Sequence, residues 1–344
     1  MVKNVMFVTN SLTGGGAERS MNMVCNELTL RNWNVTLVPV NKSESDLIQL
    51  NSAVYPLNRV QNAGLVGTLG AIIKLNIATF KFKPRVIVLN CDAPEFLGLF
   101  LVKKVKIVIV QHSSQPWITR QRLGILVRKI LSMRTKYFMA VSDHLSIWPE
   151  GENPYQVIAN PVSPNLNDYK FPETNTLKRI AFIGRMSKEK QPEIPLEIAK
   201  VSGLPVVMIG DGDLKLDLVK HYKKLDSEVH WTGQLREPWE SIKEGDVLII
   251  PSAYEGDGLV ILEGLQRGVP MLVSDIPDFR RFGFPEINYC VSIEDYYSRL
   301  LKHSEDLQSL VVPSGIATNI LSKRDIHILG NQWEIALGEI IGTQ

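Results

Sequence analysis

Asp246-Val247-Leu248-Ile249-Ile250-Pro251-Ser252-Ala253-Tyr254-Glu255-Gly256-Asp257-Gly258-Leu259-Val260-Ile261-Leu262-Glu263 decides how the second half of the chain is read. The first five residues form a short apolar run of the buried-strand kind. Pro251 ends it, and two glycines then permit a tight turn. From Leu259 the apolar residues return at helical spacing through Leu262 and Leu265, until Gly268-Val269-Pro270 stops them. The pattern predicts strand, glycine loop and helix. A glycine loop feeding a helix N-terminus exposes unpaired N–H groups at the positive end of a dipole, which suits an anion such as a diphosphate. Glu255 precedes the helix and Glu263 lies about one turn inside it, each placed to accept hydrogen bonds from ligand hydroxyls.

Outward from that stretch, the 344 residues suggest two domains of ordinary size. The apolar share of 44% and charged share of 22% are those of a soluble globular protein. Cys25, Cys91 and Cys290 are scattered without metal-ligand spacing, as expected of free thiols in a reducing compartment. The opening residues read as a strand running into glycines, so no secretory signal is expected, and no apolar run is expected to reach the roughly 18 residues of a membrane span. The net charge of +2 conceals an asymmetry. Residues 1–165 hold 18 Lys and Arg against 9 Asp and Glu, while the remainder holds 20 against 27. The first half therefore faces an anionic partner. Without a nucleic-acid module in the sequence, an anionic membrane is the favoured one.

Strand patterns continue on both sides. Asn4–Thr9 leads to Gly14-Gly15-Gly16-Ala17-Glu18-Arg19 and a helix through Met23 and Leu28, with the next strand at 35–40. This βαβ opening lacks the dinucleotide fingerprint, because Arg19 stands where a small residue is needed and no acid ends the second strand. That disfavours a dehydrogenase. Strands at 85–89 and 106–110 follow, the second running into Gln111-His112, and Asn90, Cys91 and Asp92 end the first. A histidine there points into the crevice where open α/β sheets bind ligands. Residues 117–134 read as an aromatic-tipped basic amphipathic helix. Leu123, Leu126, Val127, Ile130 and Met133 fall on its apolar face, with Arg122, Arg128 and Lys129 opposite, as in helices that lie in a membrane interface. Further strands are expected at 137–142 and 157–162. Residues 163–176 have linker composition. After the strand at 179–183 come Gly184-Arg185 and Lys190, two cations five apart that can converge on a diphosphate, Arg as a fork and Lys as a point charge. Asp211 and Asp213, between Gly210 and Leu214, read as turn residues, and His230 as structural. Trp333–Ile341 is the closing helix.

Taken together these motifs resemble retaining glycosyltransferases of family four, which have the two-Rossmann-domain GT-B architecture and include bacterial lipopolysaccharide, O-antigen and capsule enzymes. The Glu-x7-Glu pair, the Arg-x4-Lys pair, Val229-His230-Trp231-Thr232-Gly233, His112, the Ile158-Ala159-Asn160-Pro161-Val162 segment and the Gly-Gly-Ala-Glu-Arg loop occur in the family's order. The resemblance implies an α/β fold of two Rossmann-like domains facing a central cleft. Residues 1–165 would bind acceptor and 166–330 the nucleotide sugar, with 331–344 forming a helix that crosses back to the first domain. It implies that His112 contacts the transferred sugar, that Arg185 and Lys190 stabilise the leaving diphosphate, and that Glu255 faces the donor sugar. Gly15, Gly16, Gly184, Gly210, Gly256, Gly258, Leu259 and Val260 would lie at the donor, Gly233 at the base, and Glu263 on the ribose. No metal is required. The reaction implied is transfer of a hexose or N-acetylhexosamine from a nucleotide sugar, UDP-linked by family habit, to a saccharide or lipid-linked acceptor. The setting would be the cytosol or the cytoplasmic membrane face.

Two departures stand out. Gln191 replaces the glycine that usually follows the Lys, and Asp257 replaces the aromatic residue usual between the loop glycines. A carboxylate there would repel a diphosphate unless it points away or binds a sugar hydroxyl. A degenerate sugar-nucleotide-binding protein and a UDP-sugar 2-epimerase remain as alternatives of the same architecture.

Overall fold

The computed structural model describes residues 3–12, 15–42, 51–60, 64–162, 176–225 and 228–342. The chain divides into two compact units, Met1–Ser163 with Arg324–Gln344, and Pro164–Lys323. The return to the first unit thus comes at Arg324, earlier than residue 331. The linker expected at 163–176 lies outside the described residues apart from Thr176.

The first unit is built on a parallel sheet of β1 (Asn4–Thr9), β2 (Asn34–Pro39), β3 (Ala53–Val54), β4 (Val86–Asn90), β5 (Lys106–Gln111), β6 (Tyr137–Ala140) and β7 (Gln156–Val157). Their order is β3-β2-β1-β4-β5-β6-β7. Central strands such as β4, buried along its whole length, are apolar on both faces because helices cover both sides of the sheet. One side is covered by α1 (Gly16–Leu30) and α11 (Ile326–Ile341), which pack together around Phe7, Leu28, Trp333 and Leu337. Trp333 meets Phe7 edge to face at 5.8 Å. Asp325 caps α11 by accepting the His327 and Ile328 N–H groups, so the closing helix begins a full two turns before Trp333.

The other side is covered by α2 (Gly64–Phe82), α3 (Asp92–Gly98) and α4 (Gln121–Ser132). Two expectations fail here. Among the described residues α2 is a helix long and apolar enough to cross a membrane by length and composition, where no such run was expected; its Ala71, Leu75, Ala78 and Thr79 are buried against the sheet. On α4 the faces are rotated. Arg128 is buried and Leu126 and Met133 are exposed, because Glu95 of α3 holds the Arg128 guanidinium inside with two hydrogen bonds of 2.7 and 2.9 Å. Trp117 is not an exposed tip either, since it is buried with its indole N–H donating to Glu95 at 2.8 Å.

The second unit repeats the design. Its parallel sheet has β8 (Arg179–Ile183), β9 (Val206–Ile209), β10 (Val229–Gly233), β11 (Asp246–Ile250), β12 (Met271–Ser274) and β13 (Tyr289–Cys290) in the order β10-β9-β8-β11-β12-β13. Helices α5 (Glu193–Ser202), α6 (Lys215–His221), α7 (Leu259–Arg267), α8 (Pro277–Arg280), α9 (Ile293–Lys302) and α10 (Ser314–Leu321) complete it. Cys25 and Cys290 are buried free thiols, their pKa values raised by burial, and Cys91 is half-buried.

Candidate functional site

In the second unit the chain winds outward from β8 in both directions, through β9 on one side and β11 on the other. The loops leaving these two strands diverge and open a crevice at their carboxyl ends, where sheets of this kind bind ligands. The loop after β8 runs through Gly184, Arg185 and Lys190, and the loop after β11 through Glu255, Gly256 and Gly258. The two are stitched together, with Ala253 N–H donating to the Glu189 carbonyl at 2.9 Å.

Lys190 and Glu255 meet at this point. The Lys190 ammonium donates to Glu255 Oε1 and lies 3.4 Å from Glu189 Oε1. Burial by itself would lower the pKa of this amine, but the two carboxylates outweigh it and raise it, so Lys190 stays a cation. Glu255 also accepts from Ser252 Oγ on the same oxygen at 3.3 Å, and its backbone N–H donates to Asp278 Oδ2 at 2.7 Å. Arg185 is exposed beside this pair in sequence and makes no side-chain ion pair or hydrogen bond among the described residues. The loop therefore presents Lys190 as a fixed cation, with Arg185 and Lys188 exposed beside it in sequence.

Gly258 caps α7 with φ of 68°, a left-handed conformation that suits glycine, and its carbonyl accepts from Ile261 and Leu262. The N–H groups of Leu259 and Val260 thus stand at the open end of the helix, as at any helix start. Gly210 is required for a different reason: a Cβ on it would come 2.0 Å from the Gly184 carbonyl oxygen. Its N–H donates to the Gly233 carbonyl at 2.9 Å, so the turns after β8, β9 and β10 are drawn together. Asp211 is a turn residue, accepting the Gly212 N–H at 2.8 Å and pairing with Lys215 at 2.9 Å. His230 is exposed.

Glu263 is buried in α7, where Trp239 Nε1–H donates to its Oε2 at 2.7 Å. Arg267 lies over that indole, 4.5 Å from the ring centre, and donates to the Glu263 carbonyl. The carboxylate is fixed by a partner that sequence could not reveal. Asp257 does not project its charge into the loop. Its buried carboxylate pairs with Arg281 at 2.9 Å, and the same guanidinium also binds the Asp257 carbonyl at 2.9 Å and the Asp278 carbonyl at 2.8 Å. Asp278, Arg281, Trp239 and Glu189 are the residues that sequence reading missed.

In the first unit the sheet diverges between β1 and β4. Thr9 and Asn90 end those strands and share a hydrogen bond of 3.4 Å, and His112, just past β5, bonds through Nε2 to Asn90 Oδ1. Gly15 caps α1, and Gly16 is its first residue. Arg128 secures the neighbouring Gln111 by donating to its Oε1 at 2.6 Å. His112, Gly15 and Gly16 therefore belong to the first unit, and the other expected site residues to the second.

Residues 166–283, which carry both cations and both glutamates, match the model of glycosyl transferases group 1. The chain carries a group 1 glycosyl transferase domain. Among curated proteins it is 37% identical over 75 residues to the Escherichia coli O-antigen biosynthesis glycosyltransferase WclY, a match covering 21% of each chain. It is 32% identical over 178 residues to the E. coli UDP-Gal:alpha-D-GlcNAc-diphosphoundecaprenol alpha-1,3-galactosyltransferase, covering 46% of this chain and 43% of that one. The matches thus span from about a fifth to under half of these relatives' lengths. In fold the chain is similar to Anabaena HepE, solved with UDP and glucose, with a TM-score of 0.78 at 18% identity over 98% of this chain and 100% of that one. The group 1 domain accordingly sits in a GT-B fold, two parallel α/β sheets of Rossmann type.

Proposed function

We propose that the chain is a retaining, metal-independent glycosyltransferase that moves a hexose or N-acetylhexosamine from a nucleotide sugar to a saccharide or lipid-linked saccharide in bacterial surface-polysaccharide synthesis. The observation that carries this reading is the Lys190–Glu255 pair at the divergence of the second sheet, between exposed Arg185 and the glycine-capped start of α7. Breaking a sugar–diphosphate bond develops negative charge on the departing phosphate. Lys190, Arg185 and the Leu259 and Val260 N–H groups supply the positive charge and hydrogen bonds that stabilise it. The anomeric carbon loses its bond to the phosphate oxygen and gains one to the acceptor oxygen, and the acceptor proton passes to the leaving phosphate. Glu255 holds the sugar, and Glu263, set in place by Trp239, takes the ribose hydroxyls. His112 contacts the transferred sugar, as the family resemblance implies.

A UDP-linked donor is supported by the relative named for UDP-Gal and by HepE, which holds UDP. The test is a thermal-shift screen of the purified protein against UDP, GDP, ADP and their sugar conjugates, with and without EDTA. A ligand that binds only the folded form raises the melting temperature. A shift with one nucleotide, unaffected by EDTA and lost in Glu263→Ala, supports the reading; no shift with any of them removes it.

A further inference from the structure

The outward face of α2 is apolar. Leu65, Val66, Leu69, Ile73, Ile77 and Phe80 are each at least half exposed, from 50% to 84%, on a helix whose opposite face is buried in the first unit. Large side chains left in water along five turns are unusual for a soluble protein unless something covers them. The patch extends sideways. Asn76 of α2 donates to the Phe100 carbonyl and accepts the Val102 N–H, which places exposed Phe100 and Val102 beside the helix. Arg134, following α4, binds the Leu101 carbonyl at 2.9 Å and ties that helix to the same edge.

The charges around this surface have one sign. From residue 51 to residue 142 the only carboxylates are Asp92 and Glu95, and Glu95 is buried in its pair with Arg128. Lys74 and Lys81 are exposed on α2 itself, and Lys83 and Arg85 follow its end. There, beginning at Pro84, opens a cavity of about 610 Å³ lined by Arg85, Lys104, Lys106 and Arg134. An apolar ridge ending in a basic recess complements acyl chains beside anionic head groups. A second copy of the chain is a poor occupant, because pairing this face with itself would bring like charges together.

We infer that the α2 face and the recess at its end form a docking surface for an anionic lipid bilayer, with α2 lying in the interface along its length. The surface is independent of the donor site, so its failure would leave the proposed transferase activity standing. The test is co-sedimentation of the full chain with vesicles of phosphatidylcholine alone and with about one-third phosphatidylglycerol. The wild-type protein is expected to bind the anionic vesicles, and more weakly at high salt. Ile73→Glu with Ile77→Glu is expected to weaken that binding by about tenfold or more, as is Lys81→Glu with Lys83→Glu. All four positions are exposed, so unchanged melting temperatures will show that the variants fold. Equal binding by wild type and both variants, or equal binding to both kinds of vesicle, would overturn the inference. So would a concentration-dependent dimer in light scattering that the Ile variant abolishes.

Discussion

Removal of the Arg281 guanidinium asks whether Asp257 is a tolerated charge in the glycine loop. Arg281→Met keeps the side chain's aliphatic bulk but deletes the donor to the Asp257 carboxylate, the Asp257 carbonyl and the Asp278 carbonyl. The Asp257 side chain is 2% exposed and Arg281 18%, so water can replace only part of what is lost. Breaking a buried pair from one side costs about 3–5 kcal/mol, and the partial exposure of Arg281 puts this case near 3 kcal/mol. For a unit of this size that lowers the melting temperature by about 10 °C. Asp257→Asn retains an acceptor for Arg281 and should cost only about 1 kcal/mol. If the pair acts as a unit, the double variant loses about 2 kcal/mol rather than the sum of roughly 4 kcal/mol. Urea unfolding of all four proteins measures this coupling directly. Nucleotide-diphosphate binding gives a second reading: Arg281→Met should weaken it by releasing the carboxylate's charge near α7, and the double variant should regain it. Additive penalties, or an Arg281→Met protein as stable as wild type, would refute the argument that Arg281 is what makes Asp257 tolerable.

Lys190→Met is expected to lower turnover by about 10²–10³-fold with a smaller change in donor affinity, measured by steady-state transfer kinetics; an unchanged rate would remove Lys190 from the leaving-group site. Burial first, and then Glu95, push the Asp92 pKa up from 3.8 to about 6. The folded protein therefore holds a proton that the unfolded chain gives up, and stability falls as pH rises through the window from 3.8 to about 6. Asp92→Asn should accordingly gain about 2 kcal/mol at neutral pH and nothing at pH near 4, and equal melting shifts at both pH values would contradict this. Gly210→Ala forces a Cβ onto the Gly184 carbonyl at a φ of 134°, and should cost about 3 kcal/mol or more in chemical unfolding.

The parallel strands were legible because burial on both faces writes them as short, nearly unbroken apolar runs; β8, β10 and β11 fall where those runs lie. The two-residue edge strand β3 was not, since so few backbone pairs need no apolar pattern, and the strand expected at 157–162 is only Gln156–Val157, where the pairing with β6 lies. Gly64–Phe82 carried no readable period because apolar residues occur all round the helix, on a face that packs and on a face that does not. The α4 faces were misjudged for a tertiary reason: helical spacing puts Arg128 opposite the leucines, but it cannot show that Glu95 waits inside. The candidate site divides the same way. Glycines at strand ends and the Lys and Glu beside them stand in order along the chain. The partners that hold them, Asp278 for Glu255 and Trp239 for Glu263, lie 23 and 24 residues away and meet them only after folding.

The return of the chain at Arg324 makes the first unit discontinuous and the second continuous. During synthesis, all the strands of the first sheet emerge early, yet one flank of that sheet is covered by α1 without its partner helix until α11 follows, more than 160 residues after β7. At about 5–20 residues per second that flank, with Phe7 and Leu37 upon it, waits roughly ten seconds or longer for Trp333, Leu337 and Ile340. The second unit can close first. The first unit is therefore finished only after the whole of the second has been made.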